Sequence, residues 1–144
     1  MKLAIEQSAE VINLLNQIVE LEMSGVVRYT HYSLMIRGHA RIPIVKWMRE
    51  QANESLDHAL KAGELVTHFE EHPSLAIASL DESHKHNIDE ILKESLAHER
   101  KSLGLYHDLL TLVKDKSVLI EEYARSLIVE EETHIGEVEK MLKN

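Results

Sequence analysis

Apolar residues recur along the chain at alternating steps of three and four, the spacing of one face of an α-helix. One seam reads Ile12, Leu15, Val19, Glu22, Val26, Tyr29, and a second reads Met48, Gln51, Ser55, His58, Ala62, Leu65, Phe69. A third runs Leu92, Leu96, Glu99, Leu103, Tyr106, Leu110, Val113, and a fourth Ile120, Ala124, Leu127, Glu131, His134, Val138, Met141. Punctuation lies between them. GHARIP (38–43) breaks the first run and puts Pro43 in the first turn of the next helix, where a missing N–H costs nothing. HPSLAIASLDES (72–83) is the longest interruption, with Pro73 to end one helix and Asp81 or Ser83 to cap another. KDKS (114–117) offers Ser117 or Asp115 as an N-cap.

The pattern predicts an all-α fold in one domain spanning 1–144, with helices near 5–36, 44–71, 84–113 and 118–142. Short loops make two antiparallel hairpins. Extended chain covers about 3.3–3.6 Å per residue, so the middle connection can run the ~40 Å length of such helices and join the hairpins as a crossover.

Each seam is interrupted by polar groups where core side chains belong. With residue 40 as the first hairpin tip, Glu22 lies 18 residues before it and His58 18 after. With residue 116 as the second tip, Glu99 lies 17 before and His134 18 after, so all four fall at one level. The hairpins also echo each other: Glu22 and Glu99, Tyr29 and Tyr106, and Glu54 and Glu131 are each 77 residues apart. Buried carboxylates cost several kcal/mol each unless positive charge compensates them, and no Lys or Arg stands in the seam beside these. Two divalent cations would neutralise four carboxylates, and two imidazoles would complete their shell. Oxygen donors with some nitrogen suit iron or manganese, and zinc binds such ligands too. Tyr29 and Tyr106 read as core residues with a bonded hydroxyl. The remaining histidines (31, 39, 68, 72, 84, 86, 98, 107) read mostly as surface or loop residues, with His84 and His86 a candidate minor surface metal site.

Composition narrows the function classes. Aromatics make up 4% of the 144 residues, and the net charge is −9 without a basic run, which argues against nucleic acid as a partner. No stretch approaches transmembrane length, and MKLAIEQ lacks the features of a signal peptide, so a cytoplasmic protein is expected. With no Cys, thiolate chemistry and iron–sulfur sites are excluded. The first helix carries a further apolar stripe, Leu14, Ile18, Leu21, running to Gly25, which a lone bundle is expected to leave partly wet. A homo-oligomer, at least a dimer, follows as an expectation.

VINLLNQIVELEMSGVVRY, ESLDHA, SLAHERKSL and VEEETHIGEVEKML together resemble the four helices of the ferritin-like superfamily, and bacterioferritin most of all. The resemblance covers nearly the whole chain. It implies a di-iron four-helix bundle that binds and oxidises Fe(II) with oxygen or peroxide, in iron storage or detoxification. It implies Glu22 and Glu131 as terminal ligands, Glu99 as a bridging ligand, His58 and His134 as one imidazole for each metal, and catalytic roles for Glu22, Glu99, Glu131 and Tyr29. Three departures stand out. Where the family's second helix has Glu-x-x-His, Ser55 stands three residues before His58. Glu54, one residue away, either bridges in its place or leaves the site lopsided, with one metal held weakly. Leu56 occupies the register of the family's haem methionine, so no haem is expected. The sequence reaches Asn144 straight after the fourth helix, without the short fifth helix associated with the bacterioferritin shell. Two rival functions remain: a rubrerythrin-like peroxidase or oxidase on the same centre, and a metal-free helical interaction module whose buried acids set register.

Overall fold

Four helices form where the four seams lie: α1 (Ser8–Met35), α2 (Arg41–His68), α3 (Ile88–Val113) and α4 (Val118–Met141). The computed structural model describes residues 1–143, and no strand occurs among them. Asn144, on which the expectation about a fifth helix turns, lies outside the described residues.

Helix ends differ from the expected ones for local reasons. Gln7 is left-handed (φ 61) and delays α1 to Ser8. α2 begins at Arg41, so Pro43 stands in a first turn whose N–H groups have no intrahelical partner anyway. It stops at His68 rather than at residue 71. Glu70 is left-handed there, its N–H bonds Thr67 O at 3.0 Å, and the Glu71 N–H bonds Val66 O at 3.1 Å. That pair of bonds is the Schellman closure of a helix C-terminus.

α3 begins at Ile88 rather than 84, because its cap is Asn87, whose Oδ1 accepts the Glu90 N–H at 3.0 Å. Asp81 and Ser83, the expected caps, are held elsewhere: Asp81 O accepts from Arg28 at 2.8 Å, and Ser83 Oγ donates to Glu94 at 2.8 Å. Of the two candidates for α4, Ser117 is the cap, accepting the Ile120 N–H.

The connection is longer than expected and covers residues 69–87. It lies along α1, with Asn16 bonding both His72 O and the Ser74 N–H, Glu20 O accepting from the Ala78 N–H, and Arg28 reaching Asp81 O. These contacts climb α1 in sequence order, so the chain is carried from the end of α2 back to the level where α2 began. α1 packs against α2 and α3, and α3 against α4. Among the described residues no Cα of α2 comes within 8 Å of one in α4.

Because α1 faces two helices and the crossover, it buries a wide arc. Ile18 is 1% exposed and Leu21 9%, so most of the stripe expected to be partly wet is covered within the chain, and Leu14 alone keeps partial exposure. The interior falls into two apolar clusters, one around Val11, Leu15, Val66, Leu109 and Ile120, the other around Tyr32, Met48, Ile91 and Val138. Each large aliphatic side chain buried there contributes about 1.5–3 kcal/mol. A polar belt separates the two clusters. Among the described residues no helix is long and apolar enough to cross a membrane.

Candidate metal centre

The belt is built by one or two side chains from each helix. α1 contributes Glu22 and Tyr29, α2 His58, α3 Glu99 and Tyr106, and α4 Glu131 and His134. Seam positions recur every three or four residues, so the helices aim these groups at the bundle axis just as they aim leucines above and below.

The side chains meet in two groups. In one, His58 Nδ1 lies 3.5 Å from Glu22 Oε2 and 3.4 Å from Glu131 Oε1. One donor atom from each of these three residues falls within 4.8 Å of the others, and all three are buried. In the other, Glu99 Oε1 lies 3.8 Å from His134 Nε2 and accepts from the Tyr29 hydroxyl at 2.6 Å. Tyr29 also lies 3.3 Å from His134 Nε2. Tyr106 returns the gesture across the bundle, donating to Glu22 Oε1 at 3.3 Å. The tyrosine of each hairpin thus serves the glutamate of the other, and the 77-residue echo in the sequence becomes a reciprocal pair of hydrogen bonds.

The charges are unbalanced. Burial pushes the Glu22 carboxyl up, His58 works against it, and the charge of Glu99 adds to the rise. Burial pushes Glu99 well above the carboxylate range, and the neighbouring Glu131 reinforces it. For His58 burial acts downward, but the bonds to Glu131 and Glu22 outweigh it and raise the imidazole to about 10. Glu131 Oε2 is buried with no hydrogen-bond partner among the described residues. A carboxylate oxygen left bare in such a belt has the donor set a divalent cation takes: hard oxygens with imidazole nitrogen. The residues present fit a carboxylate–histidine metal centre.

Position three before each histidine is where the halves differ. Glu131 precedes His134 and is 3% exposed; Ser55 precedes His58 and is 4% exposed. Glu54 is exposed, at the rim of a cleft of about 510 Å³ between α2 and α4. Ser55, His58, Glu99, Glu131 and His134 line this cleft, and Glu54, Asp57, Glu130 and Glu137 make its lining acidic. Ser55 is small where the backbone of α1 comes close: a Cβ on Gly25 would lie 2.7 Å from Ser55 Oγ and 2.9 Å from His98 Nε2.

Three residues at the site were missed by sequence reasoning. Glu130 Oε2 lies 3.1 Å from His58 Nε2, the ring nitrogen pointing away from Glu22. It stands in a run of three glutamates, and only the middle one is on the seam. Trp47 stacks on His134 with ring centroids 5.6 Å apart and planes 3° from parallel, fixing the imidazole's orientation. His98 corrects an expectation, since it is 4% exposed and not at the surface. Burial, followed by the nearby Arg28, Lys101 and His134, lowers it to about 4, which keeps it neutral, and its Nε2 has no hydrogen-bond partner among the described residues.

Fold and site together define a class: four-helix bundles that hold carboxylates and histidines in a belt at mid-height. Within it the chain belongs to the ferritin-like domain family, which it matches over residues 12–144. Among curated proteins no sequence matches it. A ferritin-like, diiron-carboxylate protein from Bacillus anthracis superposes with a TM-score of 0.90 at 17% identity, over 96% of this chain and 99% of the other. A bacterioferritin from Rhodobacter capsulatus gives 0.83 at 23% identity, over 96% and 86%. A bacterioferritin-related protein from Bacteroides fragilis, described as a dodecameric thioferritin, gives 0.85 at 20% identity, over 93% and 84%. At these identities the likeness is one of fold.

Proposed function

We propose that the protein binds Fe(II) in this belt and oxidises it to Fe(III), with oxygen or peroxide as the electron acceptor, in iron storage or detoxification. One observation carries the reading. Glu22, His58 and Glu131 converge in a buried layer, and Glu131 Oε2 there has no partner among the described residues. Membership of the ferritin-like domain family supports it, as do the diiron-carboxylate and bacterioferritin descriptions of its structural neighbours.

Iron is the substrate here, and it supplies the electron. Glu22 and Glu131 would hold it as terminal carboxylates, with Glu99 bridging and His58 and His134 giving one imidazole to each of two ions. Glu54 would supply the remaining carboxylate from the rim. The protein's own contribution is electrostatic: a carboxylate-rich site favours the more highly charged product and so favours electron loss. Tyr29 holds Glu99 in place and Tyr106 holds Glu22, while the two apolar clusters limit water. The acidic lining of the cleft concentrates cations at its mouth. We read the chain as a subunit of a homo-oligomer, a state that the dodecameric Bacteroides fragilis protein supports.

The test is an anaerobic Fe(II) titration of metal-free protein, with air admitted at saturation and near-ultraviolet absorbance followed. Saturation at about two irons per chain is expected. Oxidation should then outpace that of iron in buffer, and Glu131→Gln should lose both properties. Absence of saturable binding, or equal oxidation rates for wild type and Glu131→Gln, would refute the assignment.

A further inference from the structure

The crossover carries a second set of metal-type donors, sharing no residue with the central belt. His31 stands on α1, and Glu82, His84 and His86 lie in the connection. His31 Nε2 and His86 Nε2 are each 3.0 Å from Glu82 Oε1, while His84 Nδ1 is 3.6 Å from Glu82 Oε2. One donor atom from each of His31, Glu82 and His86 falls within 4.8 Å of the others.

The donors sit on a segment already fixed in place. Asp81 O is held by Arg28 at 2.8 Å, and the Ser83 N–H and Oγ are held by Glu94 Oε2 at 3.0 and 2.8 Å. Glu82 therefore stands between two anchored residues. His84 is left-handed (φ 60), which turns the chain so that His84 and His86 both come back to the same carboxylate. Gathering three imidazoles on one carboxylate costs each of them rotamer freedom.

We propose that His31, Glu82 and His86, with His84 as a fourth donor, form a zinc-class divalent cation site that clips the crossover to α1. Imidazole nitrogen with one carboxylate oxygen is a donor set that Zn(II) takes at tetrahedral sites, with bonds of about 2.0–2.2 Å. Donor edges near those observed close around such an ion with small side-chain shifts. Cu(II) and Ni(II) suit the same donors.

The experiment uses the full chain and Zn(II) itself. Zn(II) bound per chain is measured by equilibrium dialysis for wild type, for the double variant His31→Ala/His86→Ala, and for Glu131→Gln. Backbone hydrogen exchange in residues 76–86 is followed with and without Zn(II). The double variant should bind about one Zn(II) fewer than wild type. Zn(II) should slow exchange of the crossover in wild type and in Glu131→Gln, and leave the double variant unchanged. His86→Gln, a milder change, should weaken binding at the same site. Equal Zn(II) stoichiometry in wild type and double variant, or equal slowing of exchange in both, would overturn the proposal. The Glu131→Gln arm keeps this result separate from the fate of the central belt.

Discussion

At the scale of single residues, the belt depends on groups that hold the acids as much as on the acids themselves. Tyr29 donates to Glu99 at 2.6 Å, and this is the shortest of the tyrosine contacts to the belt. Tyr29→Phe should lower iron affinity or oxidation rate by roughly 10–100-fold, the usual cost of losing a hydrogen bond to a ligand. Tyr106→Phe should cost less, since its bond to Glu22 is longer at 3.3 Å. Parallel titrations with Fe(II) check both. Glu54→Ala should lower iron stoichiometry while Ser55→Ala leaves it unchanged; the reverse outcome would remove Glu54 from the centre. The seam acids were legible because an ionisable group at a core position violates the apolar period. Glu130 and His98 were not, for opposite reasons. Glu130 is exposed and meets His58 only because its side chain reaches across the cleft. His98 is one residue off the seam and becomes buried because α1 and α3 pack closely enough to widen the interior arc.

At the scale of elements, helix positions followed the apolar period and helix ends followed side chains that compete for backbone groups. Ser117 and Asn87 each accept an N–H three residues on, and replacing either by Ala should cost about 1 kcal/mol in chemical unfolding. Asp81 and Ser83 have the right chemistry for a cap, but Glu94 on α3 takes the Ser83 hydroxyl and Arg28 on α1 pins the Asp81 carbonyl, contacts that no local pattern displays. Gly25 records how closely α1 approaches its neighbours. Gly25→Ala would press a methyl group onto Ser55 and His98, with a cost of about 1–3 kcal/mol expected from overpacking. Thermal unfolding of the metal-free variant would measure it.

At the scale of the whole molecule, the topology rests on how the crossover is held down. Glu94 is the hub: Oε1 accepts from Tyr32 at 2.8 Å and faces Arg28 at 3.4 Å, while Oε2 takes both bonds from Ser83. Partial burial opposes ionisation there, yet the bonds from Ser83, Tyr32 and Arg28 prevail and lower the carboxyl below its ordinary value of 4.5. A depressed acid stabilises the fold fully above its unfolded value, and that contribution is lost as pH falls through the lower folded value. Acidification below pH 4.5 should therefore release the Ser83 amide to exchange before the helices melt. Glu94→Gln should show that release at neutral pH and cost about 1–3 kcal/mol. The existence of a long connection was legible in the sequence. Its path along α1 was not, since the contacts that set it join residues more than fifty positions apart.

The missing backbone approach between α2 and α4 has a mechanical consequence. Three sides of the bundle are gripped by helix on helix, and the fourth is bridged by side chains alone, Trp47 on His134 and His58 on Glu130 and Glu131 among them. The molecule is a sleeve with one seam unstitched. That edge is the one expected to gape without unwinding a turn, since only side chains have to part there.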